Sequence, residues 1–308
     1  MNSNKIIFIV GPSAVGKSEI GFRLAQKLNG EIISCDAMQV YREVQIASDK
    51  PSRKTLETVP HHLVDIVSVS EDFDVARFRT LAVKAIEDIH GRGKLPVIVG
   101  GSGMYMSILL DGIFEDASGE KKSFEVKSAA STEDIGILFK RLKKVDPVTA
   151  QKISPSDRRR ILRALEVFDT HGRPISELQK KRSGLWGKYP IKIFALNRPR
   201  AEIYRRVEAR IDQMFENGLA DEVRGLLGVK LSKTASVVIG VPEVKGFLTG
   251  EYDLERAKYL MELHTRHYVK RQLTWFRRDS RLTWIVIEDN RNMDEIVKEL
   301  TEKMENQK

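Results

Sequence analysis

Over the first third of the chain, short unbroken apolar runs alternate with stretches whose apolar residues recur every three or four positions. Ile6-Ile7-Phe8-Ile9-Val10 is such a run and predicts a buried strand. Residues 19–28 carry Ile20, Leu24 and Leu28 on one face and predict a helix. Residues 31–34 predict a short second strand that ends at Asp36. A loop with Pro51, Pro60, His61 and His62 leads to a third at 63–67. Phe78, Leu81, Ala82, Ala85, Ile86 and Ile89 mark a helix over 78–90, stopped by the Gly91-Arg92-Gly93-Lys94 turn. Residues 95–99 form another buried strand running into Gly100-Gly101-Ser102-Gly103. Strands alternating with helices predict an α/β fold, a mostly parallel sheet flanked by helices with ligands at the strands' C-terminal ends.

The pattern then changes. Residues 115–133 are polar and without period, as in a mobile loop. Short helices are predicted at 138–145 and 147–153, and a stronger one at 156–171 with Ser156 as cap and Gly172 as stop. The strand signal returns at 191–196, so 116–190 is expected to be a helical insertion in a core made of 1–115 and 191–308. Amphipathic helical stretches follow at 200–227 and 254–276, then a strand at 284–287 and a closing helix at 294–304.

Composition narrows the class. A chain of 308 residues, 41% hydrophobic, can bury a substantial core. It has no apolar stretch near the ~20 residues of a membrane span and no leader pattern ahead of the first strand. Its single cysteine, Cys35, excludes an internal disulfide framework. A soluble, cytoplasmic, monomeric protein that makes no contact with membrane is expected. The net charge of +9 exceeds what a small anionic substrate would call for; it fits a polyanionic partner and a merely basic soluble surface equally, and where the charge sits decides between them.

Gly11-Pro12-Ser13-Ala14-Val15-Gly16-Lys17-Ser18 is a complete phosphate loop between a predicted strand and a predicted helix. Its backbone amides, the helix N-terminus and Lys17 suit a di- or triphosphate, and the Ser18 hydroxyl suits Mg²⁺. Asp36, one strand over, is placed to act as a general base, to organise Mg²⁺, or to close a turn. No carboxylate ends the 95–99 strand where nucleotide hydrolases usually keep one. The glycines there would admit close approach by a ligand, with Ser102 donating a hydrogen bond. Arg206 and Arg210, one helical turn apart, could complete a diphosphate clamp or pair with Glu202, Glu208 and Asp212.

Basic residues concentrate twice: at Arg158, Arg159, Arg160 and Arg163, and from His264 to Arg281 with Tyr268, Trp275 and Phe276 interleaved. Cations beside stacking aromatics suit RNA loops. The adjacent pair His61-His62 is no metal site by itself, because neighbouring strand residues face opposite ways. Three functions remain open on the residues alone: transfer onto RNA, a small-molecule kinase using ATP, and a non-catalytic RNA-binding NTPase.

Several segments together resemble the tRNA dimethylallyltransferases, also called tRNA isopentenyltransferases. They are the phosphate loop, EIISCDAMQVY at 31–41, PHHLVD at 60–65, RGKLPVIVGGSGMY at 92–105, DRRRILRALEV at 157–167, RIDQMFENGLADEV at 210–223 and KRQLTWFR at 270–277. The resemblance implies transfer of a dimethylallyl group from dimethylallyl diphosphate to the exocyclic amine of the adenosine 3′ of the anticodon. The phosphate loop would then hold the leaving diphosphate with Mg²⁺ on Ser18, assisted by Arg206 and Arg210. The catalytic residues would be Asp36 as base, Lys17 and Ser102. The anticodon stem-loop would meet Asp36, Ala37, Met38, Gln39, Ser102, the segment Arg159, Arg160, Ile161, Leu162, Arg163, and the segment Lys270, Arg271, Gln272, Trp275, Arg277. Three stretches depart from the family pattern: Ala47-Ser48-Asp49-Lys50-Pro51, Gly240-Val241-Pro242-Glu243, and the segment between Phe114 and Leu138, where only Lys121, Lys122 and Lys127 carry positive charge.

Overall fold

A computed structural model describes residues 4–113, 133–288 and 291–305. Lys121, Lys122, Lys127 and nearly all of the polar 115–133 stretch lie outside those residues. The chain divides into two compact units, Met1–Leu109 with Trp186–Lys308, and Leu110–Leu185.

The first unit is built on six parallel strands: β1 (Ile6–Val10), β2 (Gly30–Ser34), β3 (His61–His62), β4 (Leu95–Gly100), β5 (Ile191–Asn197) and β6 (Thr283–Val286). They lie in the order β3-β2-β4-β1-β5-β6. In register, Phe8 of β1 faces Ile98 of β4 on one side and Ile193 of β5 on the other. Every residue of β1 is buried, as an unbroken apolar run in a central strand should be. Alternate residues Ile7, Ile9, Val97, Val99, Phe194 and Leu196 share one apolar cluster with Ile20 and Leu24 of helix Lys17–Lys27 and with Ile296 and Leu300 of helix Met293–Glu305. The chain leaves β1 toward β2 but leaves β4 in the opposite direction, toward β5. The loops after β1 and β4 therefore flank a crevice at the point where the winding reverses.

Four local expectations change. The third strand is His61–His62 rather than 63–67, because Leu63 and Asp65 take left-handed backbone (φ +65° and +58°) that no strand accommodates. The helix Arg158–His171 is capped by Asp157, which accepts the Arg160 amide at 3.2 Å, while Ser156 hydrogen-bonds Ser154 instead. The stretch 200–227 is two helices, Arg200–Glu216 and Leu219–Gly225, parted at Gly218 with φ +95°. The fourth concerns the glycines after β4. A Cβ at Gly101 would lie 2.3 Å from Gln272, and one at Gly103 would lie 2.3 Å from Trp275. Helix Leu254–Phe276 fills the space expected for a ligand there.

The second unit has its own core, with Leu138, Phe139, Leu142, Ile161, Leu165 and Val167. Asp146, buried, accepts hydrogen bonds from Thr149 and Ser176 through both backbone and side chain. Burial disfavours its charge, yet those bonds outweigh it and lower its pKa.

Candidate functional site

The phosphate loop turns because Gly11, Ala14 and Gly16 all carry positive φ (+154°, +63°, +97°), and helix Lys17–Lys27 starts directly after it. Three side chains distant in sequence brace the loop. Arg198, buried at the end of β5, donates to the Val15 carbonyl at 3.0 Å. Arg206 donates to the Ala14 carbonyl at 2.8 Å. Gln272, buried, accepts the Ser13 amide at 2.9 Å and donates to the Gly101 carbonyl at 3.0 Å. One amide thus ties the loops after β1 and β4 together, and the Ser13 N–H is spent inside the protein.

Two cavities open beside the loop. A polar one of about 290 Å³ is lined by Ser13, Lys17, Ser18, Asp36, Asp49 and Arg210 among others. An apolar one of about 330 Å³ is walled by Met38, Val207, Ile211, Met214, Val238, Met261 and Tyr268. Ser13, Asp36, Ser48 and Arg210 line both, so Asp36 stands where a charged compartment meets a greasy one. Its Oδ1 accepts the Met38 amide at 2.9 Å, which fixes the carboxylate while leaving Oδ2 free of protein partners among the described residues. The turn role and a chemical role are therefore both open to it.

Lys17 donates to the Pro12 carbonyl at 3.3 Å. Burial lowers its pKa; Asp36 works against this, Arg210 adds to it, and Asp49 opposes it. A lysine so placed is ready to gain from an arriving anion. Burial also pushes the Cys35 thiol and the Tyr105 and Tyr268 hydroxyls up, so these stay protonated beside Asp36.

Oxygen donors at the loop suit a hard cation. The Ser18 hydroxyl lines the polar cavity and makes no hydrogen bond among the described residues. No group of three His, Cys, Asp or Glu that could hold a metal occurs among those residues. Any Mg²⁺ there would depend on phosphate oxygens for most of its ligands, which the set fits. His61 and His62 are otherwise engaged, with the Val59 carbonyl and Glu31, both at 2.7 Å.

The remaining sequence-predicted residues separate into those facing a site and those holding it. Arg210 lines both cavities, 3.2 Å from Asp49, whereas Arg206 lines a separate depression with Arg198 and Arg205. Gln39 spends its amide on Ser34 at 2.8 Å and on the Asp49 carbonyl at 3.1 Å. Gln272 braces the loop, and Ile161 is core; neither side chain is offered to a partner. Ser102, half-buried in the turn after β4, lies outside the lining of both cavities, and its amide donates to the Cys35 carbonyl at 3.2 Å. Trp275, 38% exposed, covers Gly103 and reaches Ser107.

Lys270, Arg271 and Arg277 are exposed, with Arg271 over the Tyr268 ring. Elsewhere in that basic stretch His264 pairs with Glu243, Arg266 with Glu208 and Glu262, and Arg281 with Asp279. In the insertion unit, Arg159 is exposed, Arg160 pairs with Asp157 and Arg163 with buried Glu166. Arg160 and Arg163 line a groove of about 460 Å³ with Lys152, Lys180 and Arg182. Leu162 is half-buried against that unit's core.

Sequence reasoning missed Arg198, the apolar walls, Asp49, and Glu222, whose carboxylate accepts the amides of Gln45, Ile46 and Ala47 beside the polar cavity. Arg198 had a signal, a charged residue at the C-terminal end of a predicted central strand. The apolar walls and Glu222 had none, since their partners lie on remote segments.

The IPP transferase family model matches residues 39–279. A tRNA dimethylallyltransferase 2 of Geotalea uraniireducens is 44% identical over 284 residues, covering 91% of this chain and 92% of that protein. A tRNA dimethylallyltransferase of Carboxydothermus hydrogenoformans is 43% identical, covering 92% of each. Among solved structures, the full-length tRNA isopentenylpyrophosphate transferase of Bacillus halodurans is similar with a TM-score of 0.72 at 35% identity, covering 98% of this chain and 96% of that one. A eukaryotic dimethylallyltransferase acting on tRNA gives a TM-score of 0.86 at 29% identity, covering 99% and 80%.

Proposed function

This chain belongs to the tRNA dimethylallyltransferase family, a family of prenyltransferases, and from that premise we propose how its two cavities divide the work of modifying tRNA. The donor is dimethylallyl diphosphate. Its diphosphate occupies the polar cavity against the phosphate-loop amides, Lys17 and Arg210, and its five-carbon chain occupies the apolar one. The acceptor is the N6 amine of the adenosine 3′ of the anticodon, extruded from its loop to reach Asp36.

Three bonds change. The allylic C–O bond breaks with its electron pair leaving on the diphosphate, the N6–C bond forms, and a proton passes from N6 to the free Oδ2 of Asp36. Lys17, Arg210 and the helix N-terminus stabilise the charge growing on the leaving group, and their pull is stronger in a water-poor cleft. Mg²⁺ held by Ser18 and the phosphates would supply further charge neutralisation. Tyr268 and the apolar walls keep water from the allylic carbon, which would otherwise be hydrolysed. Lys270, Arg271, Arg277 and the insertion's Arg159, Arg160 and Arg163 bind the RNA backbone, while Trp275 offers a face for stacking. The enzyme acts as a cytoplasmic monomer; no helix among the described residues is long and apolar enough to cross a membrane.

The observation that carries this reading is the shared wall: Asp36 lines a phosphate cavity and an apolar cavity at once. The test is incubation with labelled dimethylallyl diphosphate, Mg²⁺ and bulk tRNA, followed by nucleoside analysis. Label in N6-dimethylallyladenosine with release of diphosphate is the expected result. Label left in the donor, or phosphate transferred from ATP to a small molecule instead, would overturn it.

A further inference from the structure

The segment 45–50 at the mouth of the polar cavity is held more firmly than an ordinary loop. Glu222 accepts the amides of Gln45 and Ile46 at 2.7 Å and of Ala47 at 2.9 Å. Gln39 donates to the Ser48 and Asp49 carbonyls. Buried Lys50 reaches the carbonyls of Tyr41 and Arg42 and the carboxylate of Asp65. Between these anchors Asp49 adopts φ +51°, a conformation few non-glycine residues take. That geometry sets its carboxylate into the cavity lining, 3.2 Å from Arg210 Nη1. Arg210 is its one side-chain partner among the described residues.

A carboxylate in a cavity suited to an anion needs a reason. The pair is loose: the side chains keep 55% and 31% of their exposure, so solvent screens it and it exchanges readily. A diphosphate offers the same guanidinium more oxygens and more charge, and Arg–phosphate contacts are among the strong ones. We propose that Asp49 is an affinity determinant of the donor site: it occupies Arg210 in the donor-free enzyme, yields it to the donor's diphosphate, and retakes it when diphosphate leaves. The proposal rests on the reading that the polar cavity holds the diphosphate. Strained backbone and three anchors keep the carboxylate within reach of Arg210 throughout this exchange.

Asp49→Asn removes the charge and keeps a residue type that tolerates left-handed backbone. With the full chain, saturating tRNA and Mg²⁺, the variant should lower KM for dimethylallyl diphosphate and the inhibition constant of inorganic diphosphate together. The expected factor is about two- to fivefold, the scale of a half-exposed ion pair, without a rise in kcat. Arg210→Gln should raise both constants, and in that background the gain from Asp49→Asn should collapse. Weaker donor binding in Asp49→Asn overturns the proposal, because the carboxylate would then be helping to hold the donor. An equal gain with and without Arg210 overturns it too, because simple repulsion needs no exchange. If Arg210→Gln binds inorganic diphosphate like the wild type, the reading of the cavity itself fails and the proposal falls with it.

Discussion

The two edges of one sheet use charge in opposite ways. At the N-terminal edge, Glu31 of β2 is buried and met by Arg92 and His62 at 2.7 Å and Lys94 at 3.0 Å. Burial works against its charge, but hydrogen bonds from Arg92, His62 and Lys94 outweigh burial and bring its pKa to about 2. At the C-terminal edge, Lys17, Asp36 and Arg210 share a cavity with few mutual bonds, and positive φ recurs at Ala14 and Asp49. Where charges are fully answered they hold the fold. Where they are left half-answered around a cavity, they await a ligand.

Mutations should separate the edges. Asp36→Ala should cut prenyl transfer by about 10²–10⁴-fold, the span of a lost general base, with tRNA binding and thermal midpoint close to wild type. Turnover near the wild-type rate would remove Asp36 from the chemistry.

Gln272→Ala strands the Ser13 amide and the Gly101 carbonyl, and should cost about 1–3 kcal/mol per unsatisfied group, read as a denaturant midpoint, along with a raised donor KM. Gln272→Glu keeps the acceptor and loses the donor, so it should fall between. A Gln272→Ala enzyme with unaltered donor KM would show that the phosphate loop needs no brace from that helix.

Glu31→Gln should destabilise by about 1–3 kcal/mol and leave kcat unchanged, since neither Glu31 nor its three partners line either cavity. The sign of the pH dependence follows from a depressed folded-state pKa. Glu31 stabilises in full above its ordinary value of 4.5 and loses that contribution as pH falls toward about 2. The stability gap between wild type and variant should therefore be widest near neutrality and close through that acid window. A constant gap would mean packing, not charge, accounts for it.

The smallest effects belong to the cations proposed to meet RNA. Lys270→Ala should lower the salt slope of tRNA binding by about 0.7–0.9 without loss of stability, as it has no ion pair among the described residues. Arg163→Ala should lower the slope similarly but also destabilise its unit, because it leaves buried Glu166 without that cation. An unchanged slope in either would take that residue out of the interface.

Much of the fold was legible because it is local. A fully apolar strand, a glycine turn and an amphipathic helix announce one another, so the α/β architecture and the phosphate loop follow from spacing alone. Reading stopped where backbone conformation or a remote partner decides. Leu63 and Asp65 carry strand-like neighbours, yet their positive φ ends the strand at His62. Gln39 and Gln272, which the resemblance marks as tRNA contacts, both bond within the protein, Gln39 from the lining of the polar cavity and Gln272 from a buried position.

Chain order was enough to predict a parallel sheet and the anion-binding turn after β1, but not that β4 lies between β1 and β2, which puts Asp36 two strands from that turn rather than one. Packing alone decided which charges face the cavity. Arg206 and Arg210 are one turn apart on the same helix, but one props the Ala14 carbonyl and the other meets Asp49 at the cavity wall. Their difference lies in what 150 and more residues of intervening chain bring against that helix, and no local pattern records it.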